Sequence, residues 1–282
     1  MTVLLTDART LLFVPADRPE RHAKALASGA DAVIIDLEDA VAPAAKAAAR
    51  QALAGGLAGH PAPDRQKLLV RINAQDTAWF DEDLAFIAAL PEGSLGGLMV
   101  PKVEDPALLA TIAAACPGLP LLPQIESGAG LDALDRIALG AGVARLCLGH
   151  LDLQNDLGIS CGPDESEIAP ARWELVRASR RHGLPPPVDS VTTDTRDKAA
   201  TDHDAARALR QGFGGKLCIH PAQVAWVHAA FMPGAERQDW ARRVLAAVEA
   251  SRGGVCSVDG RMVDTPVIVT AQRVLARSRR TA

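Results

Sequence analysis

Three carboxylates, Asp36, Glu38 and Asp39, fall within four residues of the stretch AVIIDLEDAV (32–41). They follow Val33, Ile34 and Ile35, the β-branched residues that fill a buried parallel strand. Crowded acids repel one another unless a cation stands between them. Arg71, in VRIN (70–73), can supply that charge, and its planar fork suits two-pronged capture of a substrate carboxylate. Glu126 and Asp152 are two further acids, each after a hydrophobic run. Two carboxylates, with water and substrate oxygens filling the remaining positions, form a Mg²⁺ pattern, and Mn²⁺ would also fit. No His or Cys cluster suggests zinc. Lys102 admits two chemistries, an imine with a carbonyl substrate or a protonated ammonium beside acids. Plainer alternatives stand beside these: a solvated acidic loop, or an ion pair of Arg71 with Glu38 or Asp39.

The elements that must position these residues are short hydrophobic runs alternating with alanine-rich helical stretches. Strands are predicted at 10–16, 32–39, 67–73, 96–103, 119–127, 144–152, 186–192 and 215–221. Helices such as 43–55 and 201–212 lie between them, and Asp105-Pro106 and Ser127-Gly128 fit helix starts. Eight strand–helix alternations argue for an α/β fold, a (β/α)8 TIM barrel over residues 1–234. A doubly wound open sheet is the alternative, and no GxGxxG follows any strand to support it. Residues 235–282 are predicted as a C-terminal arm or lid: a helix over 235–251, a hairpin over 255–264 and a last helix to about Arg280. In such a barrel the strand C-termini form the working face. Most of these strands end in polar groups: Asp17 and Arg18, Glu38 and Asp39, Arg71 and Asn73, Lys102, Glu126, Asp152, Asp189 and His220. Their convergence predicts one polar mouth, with Asp36 one layer deeper as a structural residue.

The 282 residues are 48% hydrophobic, enough to bury a large core. A net charge of −4, 3% aromatics and no tyrosine give no reason to expect a nucleic-acid partner. The uncharged segment 106–125 has about the length of a membrane span. Pro117, Pro120 and Pro123 break it, so it reads as helix, turn and strand, and no membrane association is expected. The five cysteines show no CxxC spacing and read as reduced thiols of a cytoplasmic protein. Asp7 and Arg9 interrupt any signal-peptide core.

LLFVPADRPER (11–21), DAVIIDLEDAV (31–41), VRIN, VPKVEDP (100–106), IESGAGL (125–131), GKLCIHPAQV (215–224) and VDGRMVDTPV (258–267) resemble the citrate lyase beta-subunit-like family. That family includes malyl-CoA and citramalyl-CoA lyases, within a wider group of metal-dependent aldolases. The resemblance implies Mg²⁺ held by Glu126 and Asp152, with Arg71 on the substrate carboxylate. It also implies an Asp of the arm, here Asp264, that covers a neighbouring subunit's site and serves in acid–base catalysis. The implied reaction cleaves or forms a 3-hydroxy-acyl thioester, giving a 2-oxo acid and an acetyl- or propionyl-thioester, in a homotrimer or hexamer. Glu38, Asp39 and Lys102 are expected to assist. Arg18, Leu151 and Asp152 are expected to meet substrate, with Arg18, Arg21 and Lys24 as phosphate contacts. Asp259 competes with Asp264, although its place before Gly260 suits a turn. One segment departs from the family pattern: GHLDLQNDLG (149–158) carries Leu151 for a Glu, Leu153 for an aromatic, and an extra imidazole, His150, beside the expected metal. Companion subunits, a metal aldolase acting on a free hydroxy-oxo acid, and a non-catalytic barrel subunit stay open.

Overall fold

The computed structural model describes residues 3–251 and 255–278. Two compact units divide the chain, Met1–Val227 and His228–Ala282. In the first, eight parallel strands close into a barrel in sequence order, β8 pairing with β1. They are β1 (Thr10–Pro15), β2 (Ala32–Asp36), β3 (Leu68–Arg71), β4 (Gly97–Val100), β5 (Leu121–Ile125), β6 (Cys147–Leu148), β7 (Val188–Asp189) and β8 (Gly215–Cys218).

Side chains alternate in and out along a strand, and that period decides what enters the barrel. Leu11, Ile34, Leu69, Met99, Leu122, Cys147, Val188 and Leu217 form one buried interior cluster. Two residues further along the same strands stand Phe13, Asp36, Arg71, Gln124, Gly149, Ser190 and Ile219. The layer above the plug therefore changes from aliphatic to mixed and polar, which opens a working mouth at the strands' C-terminal ends.

Local signals hold where they were expected. Asp105 caps the helix Pro106–Ala115 by accepting from the Ala107 amide at 2.9 Å, and Ser127 caps the next helix by accepting from Gly130 at 3.1 Å. The uncharged segment 106–125 is that helix, a turn and β5. No helix among the described residues is long and apolar enough to cross a membrane.

The sixth strand is the main local difference. The expected run 144–152 yields only Cys147–Leu148, and a helix begins at His150 and runs to Leu157. Gly149 stops the strand, Leu153 is fully buried one turn into the helix, and left-handed Gly158 (φ 65°) ends it. Asp152 thus occupies a helix first turn rather than a strand end.

In the second unit the helix Ala235–Ala250 packs against the helix Thr265–Ser278 through Ala241, Val244, Ala271 and Val274. Between them β9 (Cys256–Val258) and β10 (Arg261–Val263) form the expected hairpin. Asp259 (φ 52°) and Gly260 (φ 73°) make its turn, and Asp259 pairs with Arg243. Arg280, the expected helix end, lies outside the described residues.

Candidate active site at the barrel mouth

Asp36 and Arg71 end neighbouring strands and are Cα partners in the β2–β3 register, both facing inward. Arg71 Nε donates to Asp36 Oδ1 at 2.8 Å and Nη2 to Oδ2 at 2.7 Å. The same carboxylate accepts from the amides of Glu38 (2.9 Å) and Ala40 (3.1 Å), folding the loop back over the strand end. Glu38 stands 2.9 Å from Nη1 as an ion pair without hydrogen-bond alignment, and Asp39 lies 3.4 Å from Nη2. The Phe13 ring backs the guanidinium, its centroid 4.7 Å away. Asp36, expected as a structural residue, is thus the acid that orients Arg71, with Glu38 and Asp39 standing beside it. Burial alone would lower the Arg71 pKa, but Asp36, Glu38 and Asp39 outweigh it and push it up. Arg71 is therefore a fixed cation.

Glu126 follows β5 and is 2% exposed. Its Oε1 accepts from the Lys102 amide at 2.8 Å, and Lys102 holds a left-handed φ of 48°. Its Oε2 is buried without a partner. Gly149 makes room for that oxygen: a Cβ there would stand 2.2 Å from Oε2 and 2.7 Å from Gln124 Nε2. Burial, then the charges of Glu38 and Asp152, push the Glu126 pKa up to about 8. Burial also lifts Glu38 to about 7, Arg71 opposing while Asp39 and Asp36 add to the rise. The mouth is thus short of positive charge.

Lys102 offers some, its Nζ 3.7 Å from Glu38 Oε1. Burial would lower its pKa, but Glu38, Asp152, Glu126 and Asp39 outweigh burial and raise it. A protonated ammonium opposes imine chemistry. Asp152 is half-buried and lines the cavity. Mg²⁺ suits this donor set: a buried unpartnered carboxylate oxygen, a second carboxylate close enough to raise the first one's pKa, and an excess of acid around both. Among the described residues no group of three or more His, Cys, Asp or Glu could hold an ion, so water and substrate would complete the coordination.

The mouth encloses a cavity of about 360 Å³. Arg71, Asp39, Asp152 and Leu151, singled out from the sequence, line it together with Phe13, Gln124, Gly149 and Ser190, which sequence reasoning did not single out. Period two from the buried cluster residues Leu11, Leu122, Cys147 and Val188 reaches all four. Arg18 is exposed at the start of the helix Pro19–Leu26 and does not line this cavity. His150 turns away: its Nδ1 lies 2.5 Å from Ser190 Oγ and its Nε2 3.6 Å from Glu165. Asn73 donates to Asp83 and Leu37, and buried Asp189 pairs with Arg172, so both are structural. His220 Nδ1 accepts from the Ala222 amide at 3.2 Å, a local bond at a helix start. In the second unit Asp264 is exposed, and its Oδ1 caps the last helix by accepting from Val267 at 3.1 Å.

Residues 9–221 match the HpcH/HpaI aldolase/citrate lyase family. The chain is 34% identical over 273 residues to a (3S)-malyl-CoA thioesterase of Cereibacter sphaeroides, covering 96% of this chain and 94% of the relative. It is 37% identical over 281 residues to a citrate lyase subunit beta-like protein of Deinococcus radiodurans, covering 95% and 96%. Its fold superposes with a TM-score of 0.84 and 35% identity on the crystal structure of protein CitE from Mycobacterium tuberculosis in complex with magnesium, acetoacetate and coenzyme A, covering 97% of this chain and 99% of that one.

Proposed function

The chain belongs to the HpcH/HpaI aldolase/citrate lyase family, and from that premise we propose that it cleaves, or forms, a 3-hydroxy-acyl thioester such as malyl-, citramalyl- or citryl-CoA. The products would be a 2-oxo acid and an acetyl- or propionyl-thioester. The observation that carries this reading is the unpartnered Glu126 Oε2, buried at the mouth that Arg71 and Asp152 line. Glu126 and Asp152 would hold Mg²⁺, which supplies a Lewis acid for the hydroxyl and carboxylate of the substrate.

The remaining roles fall to the chain's own groups. Cleavage removes the hydroxyl proton, breaks the C2–C3 bond and leaves its electron pair on the thioester as an enolate, which a proton then quenches. Arg71 binds the substrate carboxylate with the edge that Asp36 leaves, displacing the looser 3.4 Å contact to Asp39. The Lys102 ammonium stabilises the enolate charge. Glu38, paired with both, keeps Arg71 and Lys102 oriented. Asp264 of a neighbouring subunit, in a trimer or hexamer, moves the proton.

The test is to supply malyl-, citramalyl- and citryl-CoA with Mg²⁺ and follow 2-oxo acid and free thiol separately. Release of 2-oxo acid without free thiol is expected. A second reading, thioester hydrolysis, draws support from the thioesterase name of the Cereibacter relative. Free thiol with no 2-oxo acid would establish hydrolysis and overturn the lyase reading.

A further inference from the structure

The cavity wall is divided by chemistry, and barrel order makes the division spatial. Asp36 at the end of β2, Asp39 after it, Arg71 on β3 and Gln124 on β5 form a polar arc, with Asp152 at its end. Val191 after β7, Leu217 of β8 and Ile219 just past it, and Phe13 and Pro15 of β1 form the opposite, mainly apolar arc, interrupted only by the uncharged hydroxyls of Ser190 and Thr193. The β8–β1 pairing that closes the barrel makes this arc continuous, and Leu151 extends it beyond β6. Leu151 is 44% exposed and Ile219 39%, large apolar side chains open to the cavity they line.

Among the described residues lining the cavity, Arg71 is the sole cation, and Asp36 grips it at 2.8 and 2.7 Å. Lys216 lies behind the apolar arc but is 1% exposed and donates to the Ser190 carbonyl at 2.7 Å. Lys102 stands on the polar side beside Glu38, 3.7 Å away. One substrate carboxylate can therefore be matched. A second, placed against the apolar arc, would lose its hydration with no cation to receive it.

We propose that Leu151, Ile219 and the rest of this arc select substrates whose C3 carries a methyl or ethyl group, and reject a second carboxylate at that position. The partner 2-oxo acid is then a short 2-oxo alkanoate rather than a dicarboxylate. This rests on the thioester-cleavage reading and narrows it. A fitted apolar pocket discriminates by about 10–200-fold per methyl or methylene group, so the preference is measurable.

The experiment compares kcat/KM for malyl-, citramalyl- and citryl-CoA with Mg²⁺, and measures binding of glyoxylate, pyruvate, 2-oxobutyrate and oxaloacetate by calorimetry. Citramalyl-CoA is expected to exceed both other thioesters by about tenfold or more, with pyruvate and 2-oxobutyrate the tightest ligands. Ile219→Arg and Leu151→Arg, each placing a cation on the apolar arc, should invert the citramalyl-to-citryl ratio while leaving Mg²⁺ affinity unchanged. Citryl-CoA turned over as well as citramalyl-CoA by the parent would overturn the proposal. So would an equal rise in KM for all three thioesters in both variants, since the arc would then hold the thioester arm. If no thioester yields a 2-oxo acid, the cleavage reading fails by itself. The pyruvate-over-oxaloacetate binding order then decides the selectivity, supporting it if present and overturning it if absent.

Discussion

At the scale of single residues, the mouth balances acid against too little cation, and that imbalance sets what substitutions do. Glu126→Gln and Asp152→Asn should each weaken Mg²⁺ binding by more than the roughly 10–100-fold seen when groups outside the coordination shell are changed. Calorimetry measures this, and an unchanged circular dichroism spectrum shows that the fold is kept. Equal affinity in both variants would remove the pair from metal binding. Arg71→Lys keeps the charge but loses the two-pronged bond to Asp36, so kcat/KM should fall roughly ten- to a hundredfold, from ~1.5–3 kcal/mol per charged hydrogen bond. A fully active Lys variant would make Arg71 merely structural. The raised carboxylates give the pH dependence its sign. Glu38, near 7, and Glu126, near 8, both lie above the ordinary 4.5, so folding favours their protonated forms. That stabilisation is complete at acid pH and is lost as pH rises through about 7 and then about 8. Metal-free protein should therefore show a falling Tm from about pH 5 to 8, and Mg²⁺ should bind more tightly across the same interval while releasing protons. Calorimetry in buffers of different ionisation enthalpy counts those protons, and none released would contradict the burial of Glu126.

At the scale of elements, the sixth strand and its glycine decide the geometry of the mouth. Two residues of strand are enough because Gly149 lets the chain turn directly into the helix His150–Leu157 while leaving space for Glu126. Gly149→Ala would place a methyl 2.2 Å from Glu126 Oε2 and 2.9 Å from its Cβ. The side chain must then move, at a cost typical of overpacking, about 1–3 kcal/mol. Denaturant unfolding should show that loss, and Mg²⁺ affinity should drop with it. An Ala variant with normal metal affinity would mean that Glu126 has a second way to sit. Lys102 belongs to this scale as well, since its left-handed φ of 48° aims its amide at Glu126 Oε1.

At the scale of the whole molecule, the question is whether the site is completed by another copy of the chain. Asp264 caps its own helix, so its loss has a structural cost whatever else it does. Asp264→Ala should lower stability by about 1 kcal/mol, whereas Asp264→Asn preserves the cap. If Asp264 moves the proton in a neighbour's site, the Asn variant is inactive at full stability, with metal and 2-oxo acid binding intact. Mixed oligomers of Asp264→Asn and Arg71→Ala chains should then recover a fraction of activity set by random assembly. An active Asn variant, with no recovery needed in mixtures, would confine Asp264 to its cap.

What the sequence determined by itself is local and periodic. β-branched runs, Asp105 and Ser127 as caps, and Asp-Gly in the hairpin all act within a few residues, and eight such units are enough to specify a closed barrel. Polar groups at the strand ends, Arg71 and Glu126 among them, were legible for the same reason, whereas Asp152 was legible as a residue but stands in a helix first turn. Tertiary structure alone decided which of them touch. Asp36 reads as a structural acid until the β2–β3 register sets it beside Arg71, 35 positions later. Gly149 is one glycine among 23 until closure brings it against Glu126. His150 follows a cavity-lining glycine, yet the helix that starts there turns its ring toward Ser190 and Glu165. The apolar arc exists only because the last strand pairs with the first, joining residues 13–15 to residues 217–219. Period and capping act over a few bonds, whereas register and closure set distances between residues that the chain holds far apart.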